Sequence, residues 1–261
     1  MFPRSHERGH IEAARLLRYT PSSHRVSALH ERGHIEEKAG GLVIMAVEST
    51  RSHERGHIEA RISSIAQLRS IIGDPGELVP KKVMHQLDEM AVDFIRRSPF
   101  LVLATTDAEG NMDASPKGGG PGFVAVEDEI TLAIPDRKGN KLIFGLQNIL
   151  ANPHVGLIFM IPGTDETLRV NGSAELTIEP ALLERLAERG APAHVAIGVH
   201  VHECFFHCAK AFIRSQLWHP DSWPARQKIS WGKYFASKMG LSQEAATKLD
   251  EMVEQDYKHN L

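Results

Sequence analysis

The pattern of hydrophobic positions divides the chain near residue 61. Before that point, large apolar residues are few outside the short runs ARLL and LVIM. After it, apolar positions recur at helical spacing in ISSIAQLRSIIG, which ends at Gly73 with a proline close behind. The same spacing continues in PKKVMHQLDEMAVDFIRRS, from Pro80 to the break at Ser98 and Pro99. Two amphipathic helices are therefore predicted at the start of the folded part.

Beyond Pro99 the pattern changes to short strands separated by turns. FLVLATTDAEGNMDASPKG predicts a hairpin that turns at Asp107–Asn111, and GFVAVEDEITLAIPD predicts another. NKLIFGLQNILANP and PALLERLAERG predict short helices, and the strands are HVGLIFMIPG, TLRVNGSAELTI and the start of HVAIGVHVHECFFHCAK. A helix embedded among hairpins predicts an α+β fold around an antiparallel sheet, closed into a small barrel.

Three parts are expected along the chain. Residues 1–61 form a repeat-containing, poorly ordered extension, 62–229 the barrel domain, and 230–261 a polar helical tail. The composition is ordinary, with 42% hydrophobic residues, 24% charged residues and a net charge of −3, which does not favour nucleic-acid binding.

Localisation follows from the apolar runs and the cysteines. The longest apolar run near the N-terminus, GLVIMAV, is far shorter than the ~20 residues of a membrane-spanning helix, and no signal peptide is recognised. The two cysteines, Cys204 and Cys208, are too few for a disulfide framework. A cytoplasmic protein without membrane or nucleic-acid partners is therefore expected.

The extension repeats a zinc-protease pattern. SHERGHIEA occurs at 5–13 and 52–60, HERGHIE stands at 30–36, and each copy contains HExxH. A catalytic zinc needs a third protein ligand, but Leu16, Gly40 and Ser63 stand where the extended motif would have a histidine. We therefore expect no metalloprotease and no functional metal site. Because the copies are nearly identical, we expect them to be repetitive DNA translated upstream of the real gene start. Met45 could serve as a start ahead of the folded part, although the copy at 52–60 follows it.

A second cluster of metal-ligating residue types lies in HVHECFFHC. On a regular strand His200, His202 and Cys204 would point to one face, and His207 and Cys208 follow closely. A metal or haem site is one interpretation of this cluster. The other is a barrel strand whose polar side chains are satisfied or contact a cofactor.

Four stretches are informative when taken together, in this order along the chain: SPFLVLATTDAEGNMDASPKGGGPGFV, LAIPDRKGNKLIFGLQNILANPHVGLIF, ETLRVNGSAEL and HCAKAFIRSQLW. Together they resemble the FMN-binding split barrels related to pyridoxamine 5'-phosphate oxidase. The resemblance implies a six-stranded antiparallel split β-barrel with flanking helices. It also implies a homodimer that binds FMN in grooves between its subunits.

Within that resemblance, the residues suited to the FMN phosphate are basic. DRKGNK supplies Arg137, Lys138, Asn140 and Lys141, just before a helix whose N-terminal dipole favours an anion, and Lys117 of SPKGGG ends a strand. The alternative is a solvated surface loop. The family's best-known member has its Arg-Lys pair nearer to the Asn-Pro turn than here, so either the 137/138 or the 140/141 pair meets the phosphate. We favour Asn140 and Lys141 with Lys117.

Further cofactor contacts are expected in CAKAFIRSQLW, from Lys210, Arg214 and Trp218. The leading hypothesis is an FMN-dependent oxidoreductase that acts on an unknown small-molecule substrate, because the flavin itself performs the redox chemistry. No side chain stands out as a catalytic acid or base. The alternative from a different class is a non-catalytic module that binds flavin or haem.

Overall fold

The computed structural model describes residues 61–259, and the HERGHIE repeats with their paired histidines lie outside this range. The helices are α1 (Ile65–Ile72), α2 (Glu89–Arg97), α3 (Phe144–Ala151), α4 (Pro180–Arg185), α5 (Lys210–Ser215), α6 (Trp231–Met239) and α7 (Gln243–His259). The strands are β1 (Phe100–Thr106), β2 (Met112–Gly118), β3 (Ala125–Asp128), β4 (Thr131–Asp136), β5 (His154–Met160), β6 (Thr167–Thr177) and β7 (Val195–His207). The predicted α+β class is confirmed.

The strands form one antiparallel sheet in the order β2-β1-β5-β6-β7-β4-β3. It has seven described strands where the resemblance implied six. The sheet curls until its two ends approach each other. This approach is seen in the ion pair between Lys117 on edge strand β2 and Asp136 at the end of β4. Strand β3 pairs with β4 only as far as Ala133, so Pro135 and Asp136 extend past it. The barrel is thus split at this point and bridged there by side chains.

The core lies inside the curled sheet. Strand β1 alternates strictly, with Leu101, Leu103 and Thr105 buried and their neighbours partly exposed. Phe159 of β5 is fully buried, and α2 adds Phe94 and related apolar side chains to the same cluster. The apolar residues that alternate along the strands and those at helical spacing on α2 therefore pack into one core.

The helix predicted to begin at Pro80 begins later. A short 3₁₀ turn covers Pro80–Lys82, the chain then extends so that Met84 forms a β-bridge with Cys204, and α2 begins at Glu89. Asp88 caps α2, because its carboxylate accepts a hydrogen bond from the Ala91 N–H at 2.8 Å. The apolar residues before Asp88 pack from an extended segment, which the helical periodicity did not reveal.

The helical tail forms a pair, α6 and α7, joined through Asp250. Its carboxylate accepts hydrogen bonds from the Gly232 N–H at 2.8 Å and the Ser230 hydroxyl at 2.5 Å. These bonds, the Gly232 N–H first, hold the pKa of Asp250 below its usual value. The division at 61 and 229 stays a prediction. Within residues 61–259, no helix is both long and apolar enough to cross a bilayer.

Candidate functional site

A groove of about 630 Å³ lies between β2, the loop that follows β4, and the start of α3. All the phosphate-binding residues predicted from DRKGNK and SPKGGG line it, namely Lys117, Arg137, Lys138, Asn140 and Lys141. They come from two segments that are adjacent because the sheet curls. The groove therefore brings together residues that the sequence predicted in two separate segments.

Strand β2 contributes residues that sequence reasoning missed. Asp113 and Ser115 share the partly buried face of β2 with Lys117 and line the same groove. Strand alternation puts every second side chain on one face. Once Lys117 was chosen, the alternation in MDASPKG could have predicted that Asp113 and Ser115 lie on the same face. His194, immediately before β7, also lines the groove and had no sequence signal.

Lys117 and Arg137 are each engaged in an ion pair. Lys117 pairs with Asp136, and their side chains are 19% and 21% exposed. Arg137 donates from Nη2 to the Leu186 carbonyl at 2.9 Å, and its Nε lies 3.2 Å from a carboxylate oxygen of Glu188. Both cations are thereby held in place at the groove, and the Lys117 pair also bridges the split of the barrel.

The loop between β4 and α3 is shaped by local chemistry. Asn140 accepts a hydrogen bond from the Leu142 N–H at 2.9 Å through its side-chain oxygen, and Lys141 has a left-handed backbone with φ of 62°. Helix α3 then begins without a side-chain cap from Ile143, while Phe144, Gly145 and Leu146 line the groove. The first-turn N–H groups and the positive end of the helix dipole are thus available to an anion here.

The groove also has an apolar rim. Leu142, Ile143 and Phe144 are 63%, 49% and 56% exposed, although they are large apolar residues. An exposed apolar rim beside a cluster of cations suits a ligand with a flat apolar part and a charged end.

The second predicted group of cofactor residues lies elsewhere in the chain. Lys210 and Arg214 are on α5, and Trp218 follows it. Trp218 donates from Nε1 to the Thr164 carbonyl at 2.9 Å, and its ring stacks on Phe212 with centroids 5.7 Å apart. The lining of the groove includes none of these three residues.

The histidines and cysteine of HVHECFFHC do not form one ligand set. A bulge opposite Asn171 and Gly172 shifts the register of β7, so His200 and His202 are exposed while Cys204 is fully buried. Burial, reinforced by the nearby carboxylates of Asp88 and Glu203, raises the pKa of Cys204 to about 11. Among residues 61–259, no group of three or more His, Cys, Asp or Glu side chains is placed to hold a metal ion.

One family model matches the segment of the chain that contains the sheet. This protein-family model, described as pyridoxamine 5'-phosphate oxidase, matches residues 87–208, which run from just before α2 to just after β7. No curated protein matches the chain.

Three solved structures illustrate the likeness. HupZ-V5-His6 of Group A Streptococcus is 21% identical, with a TM-score of 0.38, over 46% of this chain and 93% of its own. A Clostridium acetobutylicum protein related to general stress protein 26 (pyridoxinephosphate oxidase family) is 13% identical, with a TM-score of 0.36, over 46% and 90%. An FMN-binding protein of Syntrophomonas wolfei is 9% identical, with a TM-score of 0.35, over 46% and 89%. The family model thus confirms, over residues 87–208, the predicted resemblance to the split barrels related to pyridoxamine 5'-phosphate oxidase.

Proposed function

We propose that this chain is an FMN-binding oxidoreductase of the pyridoxamine 5'-phosphate oxidase-like class, acting on a small-molecule substrate. The observation that carries the proposal is the groove between β2 and α3, where cations, open helix N–H groups and an apolar rim converge inside the family-matched segment. A bound flavin would supply hydride or electron transfer at its N5. The described side chains would bind and orient it and limit the access of water.

The phosphate is proposed to sit between Lys141 and Lys117, over the start of α3. A phosphate monoester carries nearly two negative charges, which cations and oriented N–H groups both stabilise. Lys141 is exposed on the loop and can turn toward the ligand, whereas Lys117 would share its charge between Asp136 and the phosphate. Asn140 is proposed to act mainly on the loop, since its side-chain oxygen is used by the Leu142 N–H.

The flavin ring is proposed to cover the apolar rim of Leu142, Ile143 and Phe144. Burying such side chains stabilises a complex by roughly 25 cal/mol per Å² of apolar surface, a term that does not depend on the phosphate. We also propose a homodimer, in which Lys210, Arg214 and Trp218 reach the flavin from a second copy because they do not line the groove of their own chain. The cytoplasmic location stays a prediction from cysteine usage.

The experiment is a titration of the purified chain with FMN and with riboflavin, followed by flavin fluorescence and the visible spectrum. Lys141→Met should weaken FMN binding about 10- to 100-fold, as expected when a charge-assisted hydrogen bond of about 1.5–3 kcal/mol is lost. Riboflavin, which has no phosphate, should bind the wild type and the variant alike. Lys81→Met, at an exposed lysine outside the groove, is the matched control and should bind FMN like the wild type.

A protein that stays colourless and cannot be reconstituted with FMN would overturn the proposal. Where FMN binds, oxidation of a reduced nicotinamide or of pyridoxamine phosphate in its presence separates an enzyme from a module that only stores flavin. A Soret band in the purified protein would instead assign the haem-binding alternative.

A further inference from the structure

Asp113 places a carboxylate inside the groove between β2 and α3. It lies on the same face of β2 as Ser115 and Lys117, and all three side chains line the groove. Lys117 is four residues further along the strand, which corresponds to roughly 13 Å at about 3.3 Å per residue. The wall that β2 contributes therefore has a cation near one end and a carboxylate near the other.

The Asp113 carboxylate has no partner within the described part of the chain. Asp136, the other carboxylate in the described lining of the groove, pairs with Lys117. Among residues 61–259, Asp113 forms no hydrogen bond and no ion pair, although it is only partly exposed. A carboxylate that has lost part of its hydration needs hydrogen-bond donors. The groove thus has an open acceptor whose donors must come from water or from a ligand.

The neighbours of this carboxylate are fixed and leave space beside it. Thr105 is opposite Asp113 in the β1–β2 pairing, is buried, and accepts a hydrogen bond from Asn148 Nδ2 of α3 at 3.0 Å. A Cβ on Gly145, in the first turn of α3, would lie 3.5 Å from Asp113 Oδ2 and 3.7 Å from Thr105 Oγ1. Because Gly145 has no side chain, the space beside the carboxylate stays open at this point.

The charge of Asp113 restricts which part of a ligand can lie next to it. An ionised carboxylate only accepts hydrogen bonds, and its charge repels a phosphate. A phosphate ester bound along β2 would therefore keep its phosphate at the cationic end, beside Lys117 and Lys141, and turn uncharged donors toward Asp113. Polyol phosphates have this arrangement, because a chain of hydroxyl groups extends from their phosphate.

We propose that Asp113 is a specificity-determining residue of the groove, which accepts hydrogen bonds from the hydroxyl groups of a polyol phosphate and directs its phosphate toward Lys117. Its role toward FMN, whose ribityl chain has such hydroxyl groups, rests on the proposed function. Recognition of the polyol phosphate itself does not require a flavin ring. Asp113 thus selects the part of the ligand between the phosphate and the group that covers the apolar rim.

The test compares the full-length wild type, Asp113→Ala and Asp113→Asn as they bind riboflavin and lumiflavin, followed by flavin fluorescence. Riboflavin has the ribityl hydroxyl groups, whereas lumiflavin has the ring without them. Asp113→Ala should weaken riboflavin binding about 10- to 100-fold, as expected when hydrogen bonds to a charged acceptor are lost, and should change lumiflavin binding less than about twofold. Asp113→Asn keeps an acceptor oxygen and should lose less affinity for riboflavin. Asp93→Ala, at an exposed carboxylate on α2 outside the groove, is the matched control.

The phosphate of FMN supplies a second readout. Both variants remove the charge that repels a phosphate, so the affinity for FMN relative to riboflavin should rise about two- to tenfold above the wild-type ratio. A merely structural role of Asp113 would instead lower the affinities for FMN, riboflavin and lumiflavin alike. Because Asp113 has no partner among residues 61–259, both variants should unfold in urea like the wild type.

The outcomes separate this inference from the proposed function. Equal riboflavin binding by the wild type and Asp113→Ala, or an equal loss of lumiflavin binding, would overturn the inference and leave the FMN proposal standing. If riboflavin does not bind, ribitol 5-phosphate is titrated by isothermal titration calorimetry. Binding of this probe that depends on Asp113 supports the inference even where FMN fails to bind and the proposed function falls. Absence of probe binding, or binding that Asp113→Ala leaves unchanged, overturns the inference.

Discussion

Replacement of Lys117 by methionine tests whether its ion pair with Asp136 bridges the split of the barrel. The methionine keeps much of the side-chain volume but leaves the Asp136 carboxylate without its cation. An exposed ion pair contributes at most about 1 kcal/mol, whereas removing one partner of a buried pair costs about 3–5 kcal/mol. The Lys117 and Asp136 side chains are 19% and 21% exposed, which places this pair between these limits. We expect a loss of about 2 kcal/mol in the free energy of unfolding.

The assay is urea denaturation and thermal melting of four proteins, the wild type, Lys117→Met, Asp136→Asn and the double variant. For a folded part of this size, about 2 kcal/mol corresponds to a melting temperature lower by about 4–8 °C. The double variant should recover much of the loss, with a coupling energy of about 1–2 kcal/mol, because it leaves no unpaired charge.

Two results would refute this reasoning. Additive effects of the single variants would mean that the two side chains do not interact. FMN binding gives the second check, because Asp136 competes with the phosphate for Lys117 under the proposed function. Asp136→Asn should therefore bind FMN at least as tightly as the wild type, while Lys117→Met should bind it about tenfold more weakly. Weaker binding by Asp136→Asn would contradict the shared use of Lys117.

Four further predictions concern other parts of the fold. Gly172→Ala should cost more than about 3 kcal/mol in unfolding by urea, because the added Cβ would lie 2.1 Å from the His200 carbonyl oxygen; unchanged stability would show that the bulge is absent. In native protein at pH 8, iodoacetamide should modify the exposed Cys208 and spare the buried Cys204, and mass spectrometry of equal labelling would contradict this. Because the folded pKa of Cys204 is raised from 9.0 to about 11, its thiol should make unfolding by urea easier as pH rises across that interval, and a Cys204→Ala variant should lose this dependence. The α6 and α7 pair should weaken as pH falls below about 4, since the pKa of Asp250 is lowered in the folded state; circular dichroism of Asp250→Asn, which should lack this acid step, is the check.

Much of the sheet could be predicted from local pattern, because strand alternation is a property of neighbouring residues. The hairpin turn at Asp107–Asn111 and the short helix α3 were predicted from turn chemistry and spacing, and both are confirmed. The start of α2 was wrong, because Asp88 caps the helix and the apolar residues before it are extended. Helical periodicity cannot distinguish a helix from an extended segment that buries similar residues through a β-bridge.

The candidate site shows the same limit. The basic residues of DRKGNK and SPKGGG could be chosen from their chemistry and the family resemblance, and their roles remain a prediction. Their approach to one another depends on the curl of the sheet, which brings β2 to the end of β4. The ion pairs of Lys117 and Arg137, and the contribution of His194, follow from this long-range approach and have no local signal.

By itself, the sequence determined the α+β class, the strands that alternate and the loop that concentrates positive charge, since each follows from residues close together in the chain. Only the tertiary structure decided that the bulge beside Gly172 separates Cys204 from His200 and His202, because register is set by the partner strand. It also decided that Lys117 and Arg137 line the same groove. These contacts join residues far apart in the chain, and their geometry is fixed by packing of the whole sheet.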